Sequence, residues 1–393
     1  MKGHAMMKRK ILKTAICIVV ILAAFGMGSA ATYFYMVSGT DGSKPAAQSG
    51  DTSGLKAYDD VRGLRGMGGQ TVNVSYMDLR DKADIIPTLW FNQKTVWPSK
   101  KMPRGCDPAD ILENAKNPGL GVRGLHARGI TGRGVNVAII DQPMYQDHPE
   151  FAGKIKMYRD FDCKSESSMH GPAVASLLAG KTTGTAPDAG IYYAAAPSWL
   201  EDAGYYAGAL DWIVEESAKL PAGEKIRVVS VSAAPSGPGS PFTKNNDQWD
   251  AAVARAEKEG LLVLDCTQNH GLIAPCFYDK GGIEKPTSYK PGFPKNPGTS
   301  WSTGYVFVPT SPRTTAEEYE KGDFGYQYTG QGGLSWAIPY CAGVLAMGWQ
   351  VNPGLSPDRI VDLLFESAYK PDAASLIIDP PAFIKLVEES VKK

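Results

Sequence analysis

The chain has no surplus of either charge: Lys and Arg together number 41, and so do Asp and Glu. A balanced protein offers no long-range field with which to gather nucleic acid or an acidic partner. No basic run lies beyond the N-terminus and no nucleic-acid-binding module is legible, so nucleic acid is not an expected partner. Cysteine is sparse, with six residues and no CxxC pair, which removes the usual zinc frameworks. Cys17 lies in an apolar N-terminal run. The other five (Cys106, Cys163, Cys266, Cys276 and Cys341) are odd in number, and their spacing leaves a Cys266–Cys276 bridge open without requiring it. No repeat of fixed period is present, which excludes solenoids and propellers. No acidic loop has EF-hand spacing, and no metal ligand is assigned. Histidine is scarce as well, with five residues, few enough to weigh singly.

What is present begins at the N-terminus. Lys8, Arg9, Lys10 and Lys13 precede a stretch without charge from Thr14 to Thr40. A basic flank before an apolar run is the pattern of an export signal, with the basic end held in the cytoplasm. Thr14 to Met36 is long enough to span a bilayer, and Tyr33, Phe34 and Tyr35 at its outer edge fit an interfacial aromatic belt. Small residues at Gly28, Ser29, Ala30 and Ala31 equally suit cleavage by signal peptidase. The expectation is a cytoplasmic tail and anchor over residues 1–36, making a single-pass protein of the cell membrane with the rest outside. Secretion after cleavage is the alternative. Residues 37–54 read as a small, polar, flexible linker. Residues 55–117 read as an N-terminal extension, with a strand in "QTVNVSYMDL" and a capped helix in "DPADILENA". Residues 118–393 form the expected main domain.

In that domain, strands and helices alternate. "VNVAIID", "GIYYAAA", "RVVSVSA", "LLVLDCT" and "GYVFVPT" are nearly continuous apolar strands. Between them lie helical patterns such as "HGPAVASLLAG", "YYAGALDWIVEESAKL" and "NDQWDAAVARAEKEG", and "SPDRIVDLLFESAY" closes the series with Ser356 as N-cap. Buried strands alternating with amphipathic helices imply a three-layer α/β fold, a mostly parallel sheet with helices on both faces. Chemistry in such sheets gathers at the carboxyl ends of the strands. That selects Asp141 and Asn269, which follow strands, and His170 and Ser335, which open helices. Ser335, in "GGLSWAIPYCAG", suits an ordinary N-cap, its oxygen accepting a backbone N–H. The same place suits a nucleophile, because a helix start favours negative charge nearby. Of the histidines, His4 lies in the tail, His126 precedes the first sheet strand, His148 sits in a turn and His270 follows Asn269. His170 opens a helix beside Gly171, facing a sheet whose first strand ends in Asp141, where structural and catalytic roles are equally open.

Six blocks together resemble the subtilisin-like serine proteases, the subtilases. "GITGRGVNVAIIDQPMYQDHPEFAGKI" resembles their aspartate block, "HGPAVASLLAG" their histidine block and "GTAPDAGIYYAAA" the strand that follows. "VVSVSAA" is similar to their substrate-binding strand, "LLVLDCTQNHG" to their oxyanion segment and "GGLSWAIPYCAGVLAM" to their serine block. The resemblance runs from about Pro118 to Tyr369 in the family's chain order of Asp, His, Ser. It implies a subtilisin-like fold and a serine endopeptidase acting outside the cytoplasm through an acyl-enzyme. Asp141 would orient the imidazole, His170 would act as base and then acid, and Ser335 would attack the peptide carbonyl. Asn269 would donate to the oxyanion with the Ser335 backbone N–H. Ser232, Ala233 and Ala234 would pair with a polypeptide substrate in extended conformation. Pro339 is expected to be tolerated because N–H groups of a first helical turn lack partners. The resemblance implies no catalytic cofactor. Calcium often stabilises this family but is not assigned here.

The departures from the family pattern surround the reacting atoms. Asp141-Gln142-Pro143 replaces Asp-Thr/Ser-Gly, His170-Gly171-Pro172 replaces His-Gly-Thr, and Gly333-Leu334-Ser335 replaces Gly-Thr-Ser. Cys266 and Gln268 stand where small residues border the specificity pocket, which implies a tighter or more polar pocket. No segment before Pro118 matches the usual inhibitory propeptide. The drifted surroundings leave a second reading, a catalytically weak relative used as a binding or regulatory module. An α/β-hydrolase esterase needs G-x-S-x-G and a different triad order, and Ser335 lies in G-L-S-W-A.

Overall fold

A computed structural model describes residues 55–62, 73–267, 272–278, 282–298 and 304–392. Thr14–Met36 and the linker therefore lie outside the described residues. Among the described residues, no helix is long and apolar enough to cross a membrane. The described residues belong to one compact unit.

The extension contributes strand β1 (Trp90–Asn92) and helix α1 (Pro108–Asn114), and α2 (Val122–Ala127) follows. The main sheet then begins with β2 (Asn136–Asp141) and β3 (Ile155–Asp160), followed by α3 (His170–Ala179) and β4 (Gly190–Ala195). Helix α4 (Ala203–Lys219) leads to β5 (Ile226–Val231), and α5 (Asn246–Lys258) leads to β6 (Leu262–Asp265). Strands β7 (Ile273–Tyr278), β8 (Tyr289–Phe293), β9 (Asn296–Pro297) and β10 (Val306–Ser311) form a second sheet. A hairpin, β11 (Arg313–Glu320) and β12 (Asp323–Thr329), precedes α6 (Leu334–Val351), α7 (Pro357–Ser367) and α8 (Pro380–Val391).

The main sheet has the order β3-β4-β2-β5-β6 and every pair in it is parallel. Its central strand shows why three layers form. Side chains alternate across a strand, so Val137 and Ile139 enter one core with α3 and α6, while Ala138 and Ile140 enter another with α4 and α5. Helix α6 is buried at every position from Ser335 to Trp349, as the innermost helix of its layer. The expected "GYVFVPT" strand is β10, but it pairs with β7 in the second sheet.

The described part of "QTVNVSYMDL", residues 73–79, forms no strand: Asn73 makes one isolated bridge to Val96, and its side chain then accepts the Ser75 N–H at 3.0 Å, turning the chain. The five cysteines among the described residues are all free, so Cys266 and Cys276 are not bridged. The helix in "DPADILENA" forms as α1, with the Asp107 side chain accepting the Ala109 N–H, and Ser356 caps α7.

The extension packs on the hairpin. Strand β1 pairs antiparallel with β12, and the Gln327 side-chain oxygen accepts from Arg62 Nη1 at 2.7 Å and Trp90 Nε1 at 3.1 Å. The hairpin in turn reaches the loop after β2. His148 Nε2 hydrogen-bonds the Gly325 carbonyl at 3.1 Å, the structural role its turn position suggests. Glu150, 1% exposed, accepts from the Thr182 N–H at 2.8 Å and the Tyr326 hydroxyl at 2.5 Å. Burial alone would raise this carboxyl, but those bonds, with others from the Thr182 hydroxyl and Thr183 N–H, hold it below the usual range.

With a folded pKa below the unfolded one, Glu150 stabilises the fold fully above the ordinary carboxylate range. That contribution fades as pH falls toward the folded value, because the unfolded chain takes up the proton first. Between about pH 7 and about pH 3, the urea midpoint of the wild type should therefore fall more steeply than that of Glu150→Gln. Equal slopes in the two proteins would show that the carboxylate is not held this way.

Candidate active site

The carboxyl end of β2 delivers Asp141, which is 1% exposed. Its Oδ1 accepts from the Gln142 N–H at 2.8 Å and lies 2.7 Å from His170 Nδ1. An ionised carboxylate can only accept, so Nδ1 carries the proton and a neutral imidazole so held presents Nε2 as a base. His170 is the first residue of α3, and Ser168 accepts the Gly171 N–H at 3.1 Å to cap that turn. Gly171 lets the helix start come this close. A Cβ there would lie 2.2 Å from the Gln142 carbonyl oxygen and 2.7 Å from the Tyr193 hydroxyl. That hydroxyl donates to the same carbonyl at 2.5 Å and fixes the turn after Asp141.

Ser335 does not cap its helix. The N-cap is Gly333, without a side-chain cap bond, and Ser335 stands inside the first turn of α6. Its hydroxyl donates to the Ser232 carbonyl at 3.1 Å, while the Ser232 hydroxyl donates to the Ser335 carbonyl at 2.8 Å. Pro339 explains that second bond and corrects the expectation about it. It lies beyond the orphan N–H groups of the first turn, so its missing N–H would have bonded the Ser335 carbonyl four residues back. That oxygen is left for Ser232, which joins α6 to the end of β5. Trp336 packs against the imidazole, with ring centroids 5.3 Å apart at 46°. Its buried Nε1 has no hydrogen-bond partner among the described residues.

The other sequence-derived residues divide into two groups. Ala233 is buried, and its carbonyl accepts the Cys266 N–H at 2.8 Å, carrying the β5–β6 register past both strand ends. The half-buried Ala234 has its carbonyl taken by the Ser240 hydroxyl at 2.6 Å. Cys266 is half-buried as a residue. Enclosure of its thiol raises the pKa well above the usual value, the Asp265 and Asp141 carboxylates add to this, and contact with Ser335 opposes it. Gln268, Asn269 and His270 lie outside the described residues. The structure thus gathers Asp141, His170, Ser335, Ser232, Ala233 and Cys266 at one end of the sheet.

One further residue was not singled out from the sequence. Asp265, 2% exposed at the end of β6, accepts from Trp249 Nε1 at 2.9 Å, the Thr267 N–H at 3.0 Å and the Thr267 hydroxyl at 2.6 Å. It fixes the chain just before the segment containing Asn269, and its signal was a lone carboxylate inside "LLVLDCT". Gln142, which stands where the family pattern has Thr or Ser, donates through Nε2 to the Ser198 hydroxyl at 2.8 Å.

A model of the subtilase family, peptidase S8, matches residues 132–379. Serine protease AprX of Bacillus subtilis (strain 168) is 26% identical over 282 residues, covering 60% of this chain and 61% of its own length. Subtilisin-like protease PopC of Myxococcus xanthus (strain DK1622) is 24% identical over 298 residues, covering 68% of this chain and 62% of its own. The chain thus spans about three fifths of the length of these curated relatives. Among solved structures, fervidolysin from Fervidobacterium pennivorans, a keratinolytic enzyme related to subtilisin, aligns with a TM-score of 0.50 at 16% identity. That alignment covers 68% of this chain and 45% of fervidolysin, and it is a likeness of fold.

The close approach at Gly171 yields a direct expectation. Gly171→Ala should destabilise the protein by about 1–3 kcal/mol or more, since backbone must move to admit the methyl group. It should also lengthen the bond between Asp141 and His170. Thermal unfolding with a crystal structure of the variant checks both, and an unshifted Tm would mean the turn after Asp141 yields freely.

Proposed function

Because the chain belongs to the subtilase family, we propose that it is a serine endopeptidase, with Asp141, His170 and Ser335 forming and breaking an acyl-enzyme. The observation that carries this reading is the buried 2.7 Å contact between His170 Nδ1 and Asp141. It leaves Nε2 free to take a proton, beside a helix start that bears a serine. The Ser335 hydroxyl donates to the Ser232 carbonyl. An extended peptide pairing along Ser232–Ala234 competes for the Ser232 carbonyl with its own N–H, and frees the Ser335 hydroxyl for His170. His170 then accepts that proton as Ser335 attacks, and returns it to the leaving amine.

Asn269 is assigned to the oxyanion by its place in the family's segment, acting with the Ser335 backbone N–H. The Asp265–Thr267 bonds just before it supply the rigidity that such a donor needs. In the same reading, Cys266 and Gln268 border the pocket for the side chain that precedes the scissile bond. No catalytic cofactor or metal is required in this reading.

In peptide hydrolysis, Ser335→Ala and His170→Ala should each abolish turnover, and the double variant should be scarcely worse than either alone, because the group acts as a unit. Asn269→Ala should lower kcat by roughly 10²–10³ with little change in KM. Wild-type turnover in Ser335→Ala would reject the assignment, and a raised KM with unchanged kcat would move Asn269 to substrate binding.

We place the catalytic unit outside the cytoplasm, held to the membrane by Thr14–Met36, on the strength of its basic flank and uncharged length. Full-length protein should sediment with membranes and keep its N-terminus. Mature protein beginning near Ala31 or Thr32 would replace the anchor by a cleaved signal and a secreted enzyme.

A further inference from the structure

We propose that Glu318 is a positioning residue for Asp141 and His170: its buried carboxylate ties together the two loops that deliver them. The kinetic consequence rests on the peptidase reading above, while the structural one rests on geometry alone.

Strand β11 reads as a polar strand, Arg-Thr-Thr-Ala-Glu-Glu, yet all six of these residues are buried. Successive side chains point to opposite faces, so Glu317 and Glu318 lie on different sides of the hairpin, at 3% and 0% exposure. A carboxylate in such a place is costly unless donors are brought to it. Glu318 Oε2 receives two. One is the Tyr145 N–H at 3.0 Å, four residues after Asp141, and the other is the hydroxyl of Ser167, three residues before His170. The same two loops meet again where the Tyr145 hydroxyl donates to Glu166 at 3.3 Å. Ser167 also adjoins Ser168, whose hydroxyl caps the turn that begins with His170. One oxygen atom therefore anchors the chain leaving the aspartate and the chain arriving at the histidine.

The hairpin does not need Glu318 to hold its own place. It is paired with β1, bonded to Glu150 through Tyr326 and to His148 through Gly325, and its Ala316 N–H donates to Ser176 in α3. Tyr145 and Ser167, the parts of the two loops nearest Asp141 and His170 on this side, meet the hairpin through Glu318. Losing the carboxylate is thus expected to release the loops and leave the hairpin standing. A displacement near 1 Å is enough to cost about 10²-fold in rate where a base and its orienting carboxylate must align.

The test compares Glu318→Ala with Glu318→Gln, which keeps an oxygen acceptor on a side chain of the same shape. Two readouts are followed: steady-state peptide hydrolysis, and the strongly deshielded proton of the hydrogen bond joining His170 to Asp141 in the magnetic resonance spectrum. In Glu318→Ala, kcat should fall about 10–100-fold with KM within about twofold, and the proton signal should broaden or vanish. In Glu318→Gln both should remain close to wild type. Wild-type kcat and signal in Glu318→Ala would overturn the proposal. So would a glutamine variant as impaired as the alanine one, which would assign the effect to charge or packing. If Glu318→Ala does not fold, Ser167→Ala decides, because it removes one anchor from a half-buried loop. A several-fold loss of kcat with a weakened signal supports the tie, and an unchanged variant overturns it. The proton signal requires no turnover. A wild-type protein that showed it without cleaving peptides would reject the peptidase reading and leave the signal to decide on Glu318.

Discussion

The hydrogen bond between His170 and Asp141 exists because position 171 has no side chain. Any Cβ there would stand 2.2 Å from the Gln142 carbonyl, so helix α3 and the turn after β2 could not meet. From that contact the rest of the site follows. The Tyr193 hydroxyl fixes the Gln142 carbonyl, Ser168 caps the helix start, and the imidazole is held with Nε2 unengaged by Asp141. The serine side is built by another omission. Pro339 lacks the N–H that would have bonded the Ser335 carbonyl, and Ser232 takes its place. Each half of the site thus depends on a group the backbone does not have.

Around this centre the protein buries polar side chains that an ordinary core would exclude. Glu150, Glu318, Asp265 and Arg313 are each no more than 2% exposed. Three of them accept bonds from loops, and Arg313 donates to the Thr183 carbonyl at 2.8 Å. Burial holds that guanidinium down to about 10. Such groups are costly when unpaired, and fixed in geometry when paired. Here they stiffen loops that carry no regular ladder of their own. The hairpin is the hub, joined to the extension on one side and to the loops of Asp141 and His170 on the other.

The layers and the gathering of Asp141, His170 and Ser335 could be read from sequence because they rest on local patterns. Apolar runs of strand length recur between helical periods, and chemistry-bearing residues stand at element ends. The role of Ser335 could not be decided locally, since a cap and a nucleophile occupy the same kind of position; the structure gives the cap to Gly333. Glu318 was illegible for a different reason. "RTTAEEYE" has the composition of a solvated strand, and its burial depends on donors more than 150 positions earlier in the chain. From residue 73 on, "QTVNVSYMDL" is no strand because Asn73 bonds the backbone two residues on, a local competitor that β-propensity ignores. Pro339 was placed in the right helix with the wrong consequence, because the freed acceptor matters only once Ser232 is beside it.

The central claim is that Ser335 is a hydroxyl made nucleophilic by His170. Treating the folded protein with a fluorophosphonate and mapping the adduct by mass spectrometry tests it most directly. A single covalent adduct is expected on Ser335, formed in the wild type and absent from the His170→Ala variant. An adduct on another residue, or equal labelling of Ser335 without the histidine, would contradict it.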